Sequence, residues 1–155
     1  MSEDLGNIIP DDLYNALIHE DVTISPGKAI LITTSDSSGW PHPALLSFRE
    51  VGVKDRNTIR IKTYSGSNTT QNLKDNGVIT LVFIDPTMTY YVKGLAAILQ
   101  SQAENAHDML TSMDISIRQV LRDFTSEDEE GAFITSGIMF HNPWDSERRI
   151  KLMGK

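Results

Sequence analysis

Between Thr63 and Asn76 the chain reads TYSGSNTTQNLKDN, a run of hydroxyls and amides with one aromatic ring and one leucine. Ser67 or Asn68 suits a helix N-cap, Gln71 follows Asn68 at capping-box spacing, and Asn76-Gly77 is a stop signal. The segment therefore predicts a short helix over Ser67 to Asn76, with its free N–H groups pointing back into the preceding loop. Those donors, together with the hydroxyls of Ser65, Ser67, Thr69 and Thr70, form a set able to cradle a phosphate. Lys62 lies just upstream as a cation, and Arg60, two residues earlier, shares its face if the segment is a strand. The same residues also make an ordinary capped turn with incidental hydroxyls, and composition alone leaves both readings open.

Few rival chemistries survive. The four histidines, His19, His42, His107 and His141, fall in no metal-ligating spacing, and no Gly-x-Ser-x-Gly elbow is present. The chain has no Cys, which removes disulfides, thiolate metal sites and thiol nucleophiles together. A net charge of -7 and a pI near 5.0 argue against a nucleic-acid surface, which needs clustered Lys and Arg. They leave room for one small anion held by a local donor set. The N-terminus MSEDLGNIIPDD lacks the apolar core of a secretory signal, and no apolar run approaches the roughly 20 residues that span a bilayer. The expectation is a cytoplasmic protein acting on a small molecule, with neither nucleic acid nor membrane as partner.

The elements that would position these residues follow from periodicity. At 155 residues and 39% hydrophobic content the chain is expected to form one domain over 1–155. The N-terminal region, 1–27, holds a helix over Pro10 to Glu20 with Leu13 and Leu17 on its inner stripe. KAILITTS and PHPALLSF read as a hairpin around the turn DSSG, VKDRN as another turn, and TIRIKTY as an alternating strand. GVITLVFID suits a buried strand, and TYYVKGLAAILQSQAE a long one with Gly94 at a bulge. Tyr90 and Tyr91 then face opposite sides of it. From Ala106 to Phe124, Met109, Leu110, Met113, Ile117, Val120, Leu121 and Phe124 repeat at three- and four-residue steps, which predicts a second long helix. AFITSGIMFHNP is a last strand, and 143–155 a tail carrying Trp144, Arg148 and Arg149. The expected fold is mainly β: a six-stranded, mostly antiparallel β-barrel with peripheral α-helices, which a family resemblance makes a split β-barrel.

The order GWPHPALLSF, TIRIKTYSGSNTTQNL, GVITLVFID, YYVKGLAAIL resembles the pyridoxamine 5′-phosphate oxidase-like family, the FMN-binding split barrels, over roughly Ala29 to Leu99. The resemblance implies a homodimer with FMN at the subunit interface. It puts the FMN phosphate near Lys62, Ser65, Ser67, Asn68 and Thr69, with Arg60 and the helix residue Asn72 in the same set. It lays the isoalloxazine along Leu46, Ser47 and Phe48, beside Thr63 and Tyr64. Family members that oxidise pyridoxamine phosphate carry basic residues where this chain has Asn68 and Thr69. The implied function is therefore an FMN-binding oxidoreductase with an unknown small-molecule substrate, not a vitamin B6 oxidase. The alternative is a non-catalytic module that binds flavin, deazaflavin or haem (through His42 or His141), or a dimer with an empty pocket.

Overall fold

In strand β5, Thr58–Tyr64, the residues Ile59, Ile61 and Thr63 are buried, whereas Arg60, Lys62 and Tyr64 are exposed. That alternation recurs through the chain and decides its architecture. The fold is a computed structural model, and residues 2–18, 27–86, 88–99, 109–124 and 131–141 are described. The other elements are β1 Ser2–Asp4, α1 Asp11–Leu17, β2 Lys28–Ser35, β3 Pro41–Ser47, β4 Val51–Asp55, α2 Asn68–Asp75, β6 Val78–Asp85, β7 Met88–Ile98, β8 Leu110–Asp123 and β9 Ile138–Met139. A 3-10 turn, Phe48–Glu50, joins β3 to β4.

The strands form one antiparallel sheet in the order β3-β2-β6-β7-β8-β5-β4. β1 adds to the end of β8 beyond β5, and β9 adds to β2 beside β6. The sheet curls into a half-barrel, with Ile30, Ile32, Ile59, Ile61, Leu81, Val92, Met113 and Ile115 in a single inner cluster. Helix α1 contributes Leu13 and Leu17 to that cluster, and α2 contributes Leu73. Full burial of each such side chain is worth about 1.5–3 kcal/mol. A one-residue slip of any strand would turn its whole inner set outward, so this burial selects the register.

The fold class is as the sequence indicates, but the strand count is not six. Among the described residues the sheet has nine strands, with β1, β4 and β8 unforeseen. The predicted helix over Ala106 to Phe124 is instead β8, over Leu110–Asp123, and residues 106–108 lie outside the described residues. The cause is a β-bulge. Gly94 pairs with Ile117 and Lys93 with Gln119, so Arg118 is an extra residue on β8. Before it the inner residues are Met113, Ile115 and Ile117; after it the phase slips and the next is Val120. Steps of two, two and three imitate the four-then-three steps of a helix when Ile115 is passed over. Of the described residues in AFITSGIMFHNP, only Ile138–Met139 is strand. The N-terminal helix is shorter than Pro10 to Glu20, at Asp11–Leu17, and His19, His107 and the 143–155 tail fall outside the described residues.

Gly94 is required at the bulge. A Cβ there would lie 2.6 Å from Ile115 Cγ2 and 2.7 Å from the Ser116 carbonyl oxygen. Gly94→Ala is expected to cost about 1–3 kcal/mol as an overpacked site. Urea denaturation measures this, and an unchanged midpoint would contradict the bulge geometry.

Candidate functional site

The hydroxyl-rich segment forms the junction between β5 and α2. Ser67 is the N-cap, and its Oγ accepts from Thr70 N–H at 3.1 Å. The Tyr64 carbonyl oxygen accepts from Ser67 N–H at 3.0 Å, Ser67 Oγ at 2.8 Å and Thr70 Oγ1 at 2.6 Å. Because a hydroxyl has one proton and Thr70 gives its own to Tyr64, Thr63 must donate in the 2.6 Å Thr63–Thr70 pair. Asn72 donates to Thr34 Oγ1 at 3.0 Å, tying α2 to the inner face of β2. Ser65 Oγ lies 2.8 Å from Thr111 Oγ1 on β8. Thr34, Thr63, Thr70 and Asn72 are all buried, so these bonds stand in for water. The helix closes at Asn76, and Gly77 takes a positive φ of 72°.

What the network leaves over is specific. The backbone N–H groups of Asn68 and Thr69, in the first turn of α2, donate to no atom among the described residues. Asn68 is exposed, and the Thr69 hydroxyl enters none of the bonds above. Lys62 is exposed and makes no ion pair among the described residues. Arg60 differs, although it shares Lys62's outer face. It grips Asp114 of β8 in bidentate fashion, Nε to Oδ1 at 2.7 Å and Nη2 to Oδ2 at 3.1 Å, and Lys54 Nζ approaches the same carboxylate at 3.3 Å. The Arg60 hydrogen bond holds the Asp114 carboxyl below its usual range, and Asp114 raises the guanidinium in turn. Arg60 is thus engaged and Lys62 is open.

Along β3, Leu46 and Phe48 are buried in the core, while Ser47 donates its N–H to Glu50 Oε2 at 2.7 Å. Tyr64 is exposed and Thr63 is turned inward. Lys62, Tyr64, Ser65, Ser67, Asn68 and Thr69 thus gather at one end of the sheet, whereas Leu46, Phe48, Thr63 and Asn72 face its interior. Sequence reasoning missed Asp114, Thr111 and Thr34. Asp114 lay within the misread helix; strand alternation through Met113, Ile115 and Ile117 would have put it on the outer face, where the ladder sets it opposite Arg60. Among the described residues, no group of three or more side chains could hold a metal ion.

This curled antiparallel sheet with a capped helix after β5 is a split-barrel fold. Residues 22–131 match the family model for pyridoxamine 5′-phosphate oxidase, and the chain belongs to that family. The uncharacterised Bacillus subtilis protein YclD is 26% identical over 149 residues, 94% of this chain and 92% of YclD. A candidate pyridoxamine 5′-phosphate oxidase from Lactobacillus delbrueckii superposes with a TM-score of 0.59 at 15% identity, covering 76% of this chain and 98% of that one. HupZ of Group A Streptococcus gives 0.55 at 16% identity, covering 86% and 100%. These structural likenesses concern the fold.

Thr70→Val should remove the donor to Tyr64 and strand the Thr63 hydroxyl, costing about 1–3 kcal/mol. Thr70→Ser should recover most of the loss in the same urea titration. Equal stability of the valine variant would show that the network does not hold α2.

Proposed function

We propose that the protein binds FMN at the β5–α2 junction and is an oxidoreductase of a small molecule. The carrying observation is the unengaged Lys62 on the same junction as the unbonded N–H groups of Asn68 and Thr69. These groups fit a phosphate, which takes charge-assisted and backbone N–H bonds together. Lys62, Ser65, Asn68 and Thr69 would hold the phosphate, with Ser67 fixing the helix start. The ring would lie against the outer face beside Tyr64 and the rim of β3, meeting Ser47 and the β3 backbone. FMN, when bound, supplies hydride and electron transfer. The protein's part is to bind and orient it and to limit water around it.

A homodimer belongs to this reading. The outer face of the sheet carries Leu45, Val78 and Leu95, 56%, 49% and 39% exposed. Leu45 pairs with Leu31 and Leu31 with Val82; Val78, four residues before Val82 on β6, pairs with Leu95. The strip continues through Ala97 and Asp114 to Arg60, so a partner covering it would reach the flavin site. Met113, placed on a helix by sequence periodicity, lies instead on strand β8 and is fully buried in the core.

One observation favours a second reading. The hydroxyls of Ser67, Thr70 and Thr63 are already bonded to one another and to Tyr64, and the neutral Asn68 and Thr69 bring no charge. That composition suits a non-catalytic module holding flavin, deazaflavin or haem, or nothing.

Two measurements test these readings. Purified protein soaked with FMN and desalted is expected to keep flavin absorption, and Lys62→Ala to weaken binding about tenfold or more. A colourless protein overturns the FMN reading, and a Soret band moves the case to haem. Light scattering is expected to give a dimer, and Leu45→Asp a monomer; a monomeric parent protein would remove the interface.

A further inference from the structure

A second cavity lies at the opposite end of β8 from Lys62. Its volume is about 320 Å³, within the range of small-molecule pockets. It is bounded by Asp12 of α1, Met88 and Tyr90 of β7, Arg122 and Phe124 at the end of β8, and Phe133. Ten residues separate Ser112, which pairs with Lys62, from Arg122. At about 3.3 Å per residue this is roughly 30 Å of strand, so the cavity is not an extension of the junction site.

The charges at this cavity are unevenly matched. Arg122 bonds Glu3 Oε2 at 2.6 Å and stands 5.9 Å from the Phe124 ring centroid, so its charge is already answered. Asp123 accepts from the Tyr91 phenol at 2.6 Å. Asp12 makes no ion pair among the described residues. Its two oxygens share the single proton of Tyr90, each at 2.9 Å, and Oδ1 also accepts from Leu13 N–H at 2.8 Å. A carboxylate has about four acceptor positions, so Asp12 keeps capacity on its exposed side. Burial and the Asp12 carboxylate together push the Tyr90 phenol up to about 12, which keeps it a donor there. The mouth carries Phe133, 77% exposed, and Phe124, 41% exposed. A carboxylate that makes no ion pair among the described residues, set among aromatic rings, is an arrangement that recognises an ammonium group on an apolar body.

We propose that this cavity binds a small organic amine, with its ammonium on Asp12 and its apolar part against Met88, Phe124 and Phe133. The site is independent of the flavin reading and stands if that reading fails.

The test titrates the full chain with phenethylamine and, separately, with 3-phenylpropanoate, following the protein by NMR. The two probes share a phenyl body and carry opposite charges. The amine is expected to bind and the carboxylate not to. Asp12→Asn, which keeps an acceptor for Tyr90, should lower amine affinity about tenfold, the scale of one charged hydrogen bond. Phe133→Ala, at a position too exposed to matter for folding, should lower it severalfold. Carboxylate binding as tight as the amine's would assign the cavity to Arg122 and overturn the proposal. So would amine binding untouched by both substitutions, or no binding of the amine at millimolar concentration.

Discussion

The Tyr64 carbonyl is the point on which the β5–α2 junction depends. It receives three donors where a carbonyl oxygen has two lone pairs, and all three come from Ser67 and Thr70. Strand β5 ends there because its last carbonyl turns to the helix that follows instead of to a neighbouring strand. The proton order runs Thr63 to Thr70 to Tyr64, and it leaves no slack: removing one hydroxyl strands another. Since Thr70 is fully buried, water cannot repair the loss. The helix start is therefore held rigidly before any ligand arrives. Pre-organised donors cost a ligand less ordering than donors that must be gathered on binding.

That rigidity separates two jobs which the composition alone merges. The segment holds many hydroxyls, yet those of Ser67, Thr63 and Thr70 serve the fold. The donors left for a ligand are the ones the helix cannot use, the N–H groups of its first turn. They need no particular side chain at Asn68 or Thr69, so neutral residues there leave backbone donors intact. Of Arg60 and Lys62, only Lys62 makes no ion pair among the described residues, because Asp114 holds Arg60 at 2.7 Å and 3.1 Å. Asp114 thus sets how much positive potential the junction presents.

The legibility of the sequence divides along the same line. The helix over Asn68–Asp75, its Ser67 cap and its Gly77 stop were readable because capping is chemistry among near neighbours. The alternation of β5, and with it the shared face of Arg60 and Lys62, was readable for the same reason. Strand β8 was not. Its bulge answers Gly94 on another strand, and no local pattern in residues 110–123 announces a partner. Everything that hangs on β8 was lost with it: Asp114, Thr111, and the end of the cavity at Arg122 and Phe124. The strands β1 and β9, of three and two residues, are also set by their neighbours, since so few residues carry no period. Strand order and spacing already indicated a barrel, and family resemblance supplied its split form, because the order of motifs is a long-range property.

Strand β8 also joins two electrically different ends. Among the described residues, Lys62 near Leu110 makes no ion pair, and at the other end Asp12 makes none, while Arg122 beside it is held by Glu3. With a Debye length of about 8–10 Å at ordinary ionic strength, charges separated by roughly 30 Å of strand barely sense one another through solvent. The net charge of -7 is likewise spread and screened at that distance. A ligand proposed for either end would therefore meet mainly the charge of that end, and an acidic protein can hold an anion at one end without contradiction. The barrel core between them, apolar and closely packed, keeps the two ends at fixed separation. Between the two ends lies Gly94, where the ladder between β7 and β8 changes phase and the inner set of β8 passes from Ile117 to Val120.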